Sequence, residues 1–282
     1  MVTKKAMLVD LTKCTGCRGC QVACKQWNDL PAEQTVCWGC YDNPPDLSTT
    51  TWNRIAFYEW EEDGQPKWMF RPVRCFHCAD APCVASCPTG ALFKDARGFT
   101  AFDESLCNGC GYCTQACPYN IPRLTDQDAF EGKANLTGKA KSSKCTFCQD
   151  RVYNDLIPAC AKACAPGAIM YGDREEMITL GNARVAELKA NGTPEANLYG
   201  ENLLGGLGMM YVLPKSADWL TELDKEKNKG NAPMPSAPPY KLVNFWQKIL
   251  QPVGSIAFGA TLLGSAMAYL ITRRTIQMEE VE

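Results

Sequence analysis

The spacing of the cysteines is the feature of this sequence that could do chemistry. Sixteen of the eighteen cysteines fall into four runs built on Cys-x2-Cys pairs. The runs are Cys14, Cys17, Cys20 and Cys24; Cys75, Cys78, Cys83 and Cys87; Cys107, Cys110, Cys113 and Cys117; and Cys145, Cys148, Cys160 and Cys164. Three cysteines of such a run can hold three corners of a [4Fe-4S] cluster, while the fourth ligates a second cluster. Four runs therefore predict four [4Fe-4S] clusters, with iron held by these sixteen cysteines, and single-electron transfer as the function.

Disulfides and zinc are the alternatives for so many cysteines. An even cysteine count suits disulfides, but cysteines two residues apart are better placed to share a metal than to pair with each other. Zinc sites usually take two ligands from each of two Cys-x2-Cys pairs, whereas Cys20 follows Cys14 and Cys17 before a second pair arrives. Iron–sulfur ligation is therefore favoured, with a zinc-stabilised assembly scaffold as a remote alternative.

The stretches between the runs predict how the cysteines are shared. Residues 88–106 have the length and pattern of a ferredoxin connection, so the second and third runs form one inner unit. By elimination, the first and fourth runs form an outer unit, and the likeness of residues 87–92 to 164–169 supports it. The predicted ligand sets are Cys14, Cys17, Cys20 and Cys164 for cluster 1; Cys24, Cys145, Cys148 and Cys160 for cluster 2; Cys75, Cys78, Cys83 and Cys117 for cluster 3; and Cys87, Cys107, Cys110 and Cys113 for cluster 4. The predicted fold class is α+β, with two nested 2[4Fe-4S] ferredoxin-like units.

The other candidate residues predict no further chemistry. Cys37 and Cys40 form another Cys-x2-Cys, but two thiols cannot complete a cluster, and a small buried thiol pair is expected, with a metal as the alternative. His77, the single histidine, is expected to be packed or hydrogen-bonded, with a role beside a cluster as the alternative. A net charge of −2 without a long basic stripe predicts no nucleic-acid partner.

Short elements are expected to position the runs. Residues 7–9 predict a strand that leads to the first run, and residues 54–60 and 67–74 predict a hairpin that leads to the second. Residues 174–190 predict a supporting helix, and residues 225–240, rich in Lys and Pro, predict an extended linker. The apolar face of the predicted helix consists of Met177, Leu180, Val185 and Leu188.

The C-terminal segment predicts a single membrane-spanning helix. Residues 252–271 carry no charge over twenty positions, about the length that crosses a bilayer. Ala260, Gly264 and Ala268 form a stripe of small residues, which predicts close packing against a membrane partner. A buried helix of a soluble protein is the alternative, and the flanking charges leave the orientation open.

The sequence thus divides into three parts. Residues 1–170 form the four-cluster core, with an outer unit from runs 14–24 and 145–164 and an inner unit at 75–117. Residues 171–240 are a supporting helix and linker, and residues 241–282 are the membrane helix and a short tail.

The four runs, their order and the C-terminal helix resemble the four-cluster β subunits of molybdopterin oxidoreductases, above all those of membrane-bound respiratory formate dehydrogenase. The resemblance covers nearly the whole chain and places the same ligand sets on all sixteen cysteines. Its specific stretches are 14–24 (CTGCRGCQVAC), 41–48 (YDNPPDLS), 109–113 (GCGYC), 120–124 (NIPRL) and 210–213 (MYVL).

The resemblance implies a complex of three kinds of subunit. A separate molybdopterin α subunit with molybdenum or tungsten oxidises formate, and electrons pass through this chain to a membrane cytochrome b-type γ subunit and to quinone. The chain itself then has no catalytic residue and no small-molecule substrate. It is expected in the inner (cytoplasmic) membrane, with the cluster domain periplasmic and the tail cytoplasmic, and residues 1–10 show no export signal of their own. The same electron-transfer role in another molybdoenzyme or a nickel–iron hydrogenase, and a free ferredoxin-like carrier, are the alternatives.

Overall fold

The computed structural model describes residues 2–37, 39, 41–125, 140–226, 234 and 251–275. The chain forms two compact units, Met1–Ala237 and Pro238–Glu282. The strands are β1 (Lys5–Asp10), β2 (Arg54–Glu62), β3 (Gln65–Val73), β4 (Leu92–Lys94), β5 (Thr100–Phe102), β6 (Arg123–Leu124), β7 (Ser142–Ser143), β8 (Ile169–Asp173), β9 (Asn197–Tyr199) and β10 (Met209–Leu213). The helices are α1 (Gly19–Trp27), α2 (Pro82–Ala85), α3 (Tyr112–Ala116), α4 (Gln149–Tyr153), α5 (Ala159–Lys162), α6 (Arg174–Ala190), α7 (Ala217–Glu226) and α8 (Gln251–Thr275).

A four-stranded mixed sheet, in the order β8-β1-β10-β9, is the framework of the first unit. β1 pairs in parallel with β10 and antiparallel with β8. Because side chains alternate along a strand, Ala6 and Leu8 pack towards α6 while Met7 lies among the cysteines. The predicted strand at 7–9 is part of β1, and the predicted boundary at residue 170 falls inside β8.

Helix α6 covers one face of this sheet, as the sequence predicted from residues 174–190. Met177, Val185 and Leu188 are buried, but Leu180 is 42% exposed, so its predicted place on the apolar face is wrong. Gly181 takes that place, because a Cβ there would lie 2.8 Å from the side chain of Leu198. The helix therefore approaches the sheet closely at a glycine, where a larger side chain would not fit.

The predicted hairpin is confirmed as β2 and β3, paired antiparallel from Arg54–Val73 to Glu62–Gln65. Two arginines of this hairpin, Arg54 and Arg71, are fully buried against carboxylates. The Arg71 guanidinium donates to Tyr58 Oη at 2.8 Å and to Asp224 Oδ2 of α7 at 3.0 Å. This buried triad ties α7 to the hairpin that leads into the second cysteine run.

The predicted linker at 225–240 is mostly outside the described residues. Its first two residues are the end of α7 instead, and Met234 is fully buried, with its N–H donating to Thr221 Oγ1 at 3.3 Å. The extended linker is therefore wrong at these three positions, since 225 and 226 are helical and the apolar side chain of Met234 is stabilised by burial.

The second unit contains α8, a helix that includes the predicted span at 252–271. Among the described residues, it is the one helix long and apolar enough to cross a membrane, with a mean hydropathy of 1.3 over Ile256–Arg273. Its large apolar side chains, such as Phe258 and Leu263, are exposed in the isolated chain.

Candidate metal centres

The four Cys-x2-Cys pairs share one backbone feature. The residue before the second cysteine has a positive φ in every run, at 66° for Gly16, 50° for His77, 72° for Gly109 and 63° for Phe147. Left-handed backbone curls the chain between two neighbouring cysteines, so that both thiols can face one point. Glycine adopts this conformation freely, whereas His77 and Phe147 are strained there, a kind of strain that collects at functional sites.

The thiols interact electrostatically with one another, and these interactions can be divided into four groups along the predicted ligand sets. Each group is seen in the electrostatic partners of a member: Cys14 interacts with Cys17 and Cys164, and Cys20 with Cys14; Cys24 with Cys145, Cys148 and Cys160; Cys78 with Cys75, Cys83 and Cys117; and Cys113 with Cys87, Cys107 and Cys110. We name them the first, second, third and fourth groups. Three thiols of each group come from one run, and the remaining thiol comes from another.

The four groups form a row. Cys20 of the first group interacts with Cys160 of the second. Cys145 of the second interacts with Cys75 of the third. Cys113 of the fourth interacts with Cys83 and Cys117 of the third. Each of these interactions joins groups that are next to each other, as a path for successive electron steps requires.

The ends of the row reach solvent, whereas seven of the eight thiols in its middle are buried and Cys117 is half-buried. Cys17 of the first group and Cys110 of the fourth are exposed, whereas all four cysteines of the second group are buried. The second group lines one cavity, together with Met7, Asn53 and Arg74, and the third group lines another. Buried groups suit clusters that pass electrons from one to the next within the chain, whereas exposed groups suit electron exchange with a partner protein.

Burial raises the pKa of several of these thiols, so they stay protonated unless a cation replaces the proton. Desolvation, reinforced by neighbouring thiols, raises the pKa of Cys20 to about 11 and that of Cys83 to about 12. A metal ligand must be a thiolate, so iron has to displace these protons when it binds. Among the described residues, no three His, Cys, Asp or Glu side chains are placed to hold a single metal ion. Cavities lined by four thiols fit a cluster of several irons better than a single ion.

Three buried or half-buried cations lie among the thiols, and the sequence analysis did not identify them. Arg74 interacts with thiols of the first and second groups, and Lys94 with Cys78, Cys75 and Cys83 of the third. Lys144 lies beside the third group as well and lowers the pKa of Cys83, although burial dominates that pKa. Two of these cations stand directly before a Cys-x2-Cys pair, as Arg74-Cys75 and Lys144-Cys145. A cation directly before a Cys-x2-Cys pair, among apolar neighbours, is the sequence signal that could have identified these two residues.

His77 lies between the second and third groups. It is fully buried, its Nε2 lies 3.5 Å from the Cys145 sulfur, and its ring centroid is 4.8 Å from that of Phe147. Burial lowers the pKa of His77 well below its ordinary value, helped by Lys144 and Lys94. The imidazole is therefore neutral, and the prediction of a packed, hydrogen-bonded histidine agrees with this position.

Cys37 and Cys40 do not join the four groups. Cys37 is exposed, so the predicted buried thiol pair is wrong at that residue, and Cys40 lies outside the described residues. The loop around Cys37 packs few apolar side chains, since neighbouring Val36 is 78% exposed. A buried thiol would need a core that this loop does not enter.

Comparisons with known proteins identify the kind of domain that carries these thiols. Two family models described as 4Fe-4S dicluster domains match residues 13–91 and 66–174. The nitrate-inducible formate dehydrogenase iron–sulfur subunit of Escherichia coli is 40% identical over 94% of this chain and 84% of its own length. The formate dehydrogenase iron–sulfur subunit of Haemophilus influenzae is 37% identical over 98% of this chain and 83% of its own length. The formate dehydrogenase subunit beta of Megalodesulfovibrio gigas is 38% identical over 66% of this chain and 84% of its own length.

Proposed function

This chain belongs to the family of formate dehydrogenase iron–sulfur subunits, and on that premise we propose that it carries electrons through four [4Fe-4S] clusters from a formate-oxidising molybdenum or tungsten subunit to a membrane cytochrome b-type subunit that reduces quinone. Its family makes it a non-catalytic electron-transfer subunit with [4Fe-4S] clusters. The observation that carries the proposal is the row of four thiol groups with buried middle members and exposed ends.

The proposed ligands are the four groups themselves. The first group is Cys14, Cys17, Cys20 and Cys164; the second Cys24, Cys145, Cys148 and Cys160; the third Cys75, Cys78, Cys83 and Cys117; and the fourth Cys87, Cys107, Cys110 and Cys113. Bound clusters supply the one-electron redox chemistry, and the protein supplies spacing, burial and charge. In this assignment an inner ferredoxin-like unit is nested within an outer one.

The two ends of the row are the proposed sites of exchange with partners. The exposed edge at Cys17 and the exposed edge at Cys110 each leave a cluster within reach of a neighbouring subunit. One end faces the catalytic subunit and the other faces the cytochrome. Electrons do not need to leave the protein between these ends, because all four thiols of the second group and three of the third are buried.

We assign α8 to the inner (cytoplasmic) membrane as a single span. Its length and exposed apolar surface support this assignment, as does the stripe of small residues Ala260, Gly264 and Ala268. In this proposal the stripe packs against the cytochrome subunit, the cluster domain is periplasmic and the C-terminal tail is cytoplasmic. This orientation is tested by fusing to the C-terminal tail a reporter enzyme that is active only in the periplasm. Activity of that reporter would contradict a cytoplasmic tail.

The decisive experiment is purification of the tagged chain from membranes, with identification of its partners. We expect a molybdopterin subunit and a cytochrome b, together with iron and acid-labile sulfide for four clusters. Formate should reduce the clusters of the complex, and the isolated chain should not oxidise formate. A hydrogenase large subunit or a different molybdoenzyme in the complex would refute formate as the electron source, and zinc without iron would refute the electron-transfer role.

Serine variants test the nested ligand sets. Cys14→Ser and Cys164→Ser should alter the same electron paramagnetic resonance signal, because both residues are assigned to the first cluster. Cys160→Ser, only four residues from Cys164, should alter a different signal, and Cys37→Ser is the control that alters none. Nesting is rejected if the variants at 160 and 164 disturb the same signal.

Truncation tests the membrane assignment. A chain that ends before Gln251 should no longer sediment with membranes when the partner subunits are absent, because α8 supplies the only proposed anchor. The full-length chain under the same conditions is the control. Retention of the truncated chain in partner-free membranes would show that another segment binds the membrane.

A further inference from the structure

Arg74 is buried, and no carboxylate among the described residues pairs with it. The residue is 1% exposed, and its three guanidinium nitrogens make no hydrogen bond of ordinary geometry within the described part of the chain, although the Tyr211 hydroxyl lies close enough to interact. The other two fully buried arginines, Arg54 and Arg71, each lie within 4 Å of a carboxylate, that of Asp42 or Asp224. Burying an unpaired cation costs several kcal/mol, so Arg74 needs an anion that the described part of the chain does not provide.

The surroundings of Arg74 indicate where this anion lies. Arg74 lines the cavity that the four thiols of the second group share, and Asn53, whose side-chain amide is buried beside Cys20, lines it too. Arg74 also interacts with Cys20 of the first group, besides thiols of the second. The nearby phenol of Tyr211 is neutral, because burial raises its pKa. The guanidinium therefore stands between two groups of thiols, with no counter-charge from the described residues.

Clusters held by thiolates are the anions that fit this position. A cubane held by four thiolates has a net negative charge and gains one more on reduction, and its sulfurs accept hydrogen bonds. A cation next to it favours the reduced state more than the oxidised state, because the reduced state is more negative. Positive charge and hydrogen bonds to sulfur are recognised means by which a protein raises the reduction potential of a cluster.

We propose that Arg74 is the shared counter-cation of the first and second clusters, and that it raises the reduction potentials of both. This inference rests on the proposed function, since it requires clusters in these two groups. A single cation between two clusters also screens the repulsion between electrons that occupy both. Arg74 is thus a positioning and tuning residue for electron transfer, whereas Arg71, three residues earlier, serves the packing of α7.

The test is a redox titration of the purified membrane complex, followed by electron paramagnetic resonance. Arg74→Met removes the charge and keeps much of the side-chain volume. We expect two of the four signals to shift, each by at least a tenfold loss in the equilibrium constant for reduction, which is about 59 mV for a one-electron couple. Arg74→Lys keeps the charge, so both reduction potentials should stay close to their wild-type values.

Lys94→Met is the matched control. Lys94 lies beside Cys78, Cys75 and Cys83, so its removal should lower the potential of one other signal and leave the pair affected by Arg74→Met in place. The inference is overturned if Arg74→Met leaves all four potentials unchanged, or shifts all four together as a general disturbance would. A wild-type complex without iron or without four clusters would instead overturn the proposed function.

Loss of assembly also decides the question. If Arg74→Met does not load iron, Arg74→Gln and Arg74→Lys are compared by iron content per complex. Loading of the Lys variant and not of the Gln variant supports the counter-cation, since only the charge distinguishes them in this respect. Loading of neither variant, or equal loading with equal potentials, contradicts it.

Discussion

The buried triad of Arg71, Tyr58 and Asp224 predicts a large and asymmetric response to mutation. The Arg71 side chain is fully buried, and the 3.0 Å pair with Asp224 joins β3 to α7. Asp224→Asn removes one charge and leaves the guanidinium enclosed without its counter-charge. Breaking a buried pair in this way costs about 3–5 kcal/mol. For a unit of this size, each kcal/mol is worth about 2–4 °C, so the apparent Tm should fall by about 6–20 °C.

The assay is a thermal scan of the purified complex at one fixed rate, followed by loss of the visible absorbance of the clusters. A fixed rate is needed because the loss of clusters makes unfolding irreversible. The control is Glu187→Gln, which removes the exposed i,i+3 partner of Arg184 on α6. An exposed helical pair contributes about 0.2–0.5 kcal/mol, so this change should move the apparent Tm by no more than about 2 °C.

A second variant separates the charge from the packing. The substitutions Tyr58→Phe, Arg71→Met and Asp224→Leu, made together in one chain, remove both charges and the phenolic hydroxyl. Well-packed apolar substitutes for a buried ion pair are often neutral or stabilising, so we expect this triple variant to melt within a few degrees of the wild type. The reasoning is refuted if Asp224→Asn costs no more than the surface control, or if the triple variant is as unstable as the single one.

Three further outcomes follow from the packing and the metal sites. Gly181→Leu should destabilise the first unit by about 1–3 kcal/mol, because a side chain there would overlap Leu198. An unchanged melting temperature would contradict the close approach of α6 to the sheet. Leu188→Ala should lower the free energy of unfolding by about 2–5 kcal/mol, since Leu188 is buried. Leu180→Ala, at an exposed position of the same helix, should change it by no more than about 0.5 kcal/mol. Equal losses of stability in a thermal scan would reject the observed orientation of α6. Removal of iron with a chelator under reducing conditions should abolish the near-ultraviolet circular dichroism of the first unit, because the ligand groups stabilise the fold through the metal; an apo chain with a native spectrum would disprove this coupling.

Sequence reasoning located the thiols and most of the elements that carry them. The Cys-x2-Cys spacing and the apolar alternation of the hairpin depend on neighbouring residues, so they can be read without tertiary contacts. The place of Leu180 could not be predicted in this way. Both Leu180 and Gly181 fit the helical period, and the close approach of the sheet at Leu198 selects the glycine.

The charges around the thiols and the sheet were the parts that sequence did not reveal. Arg74 and Lys144 stand next to cysteines, but their burial depends on strands and loops that come from distant parts of the chain. The parallel pairing of β1 with β10 joins residues about 200 positions apart, from Met7 with Met209 onwards. Local pattern carries no information about such a partner, because register is set by the packed faces of the sheet.

The position of β1 inside the sheet also sets an order in time during synthesis. β1 is made first, yet its two partners are β8, where Ile169 pairs with Val9, and β10, where Val212 pairs with Asp10. At about 5–20 residues per second, the ribosome needs on the order of 8–32 s to add the 160 residues from Val9 to Ile169. Through this interval the N-terminal thiols follow a strand that is still unpaired, while residues 75–117 have already been made as one continuous stretch. The first cysteines translated are therefore among the last that the sheet can enclose.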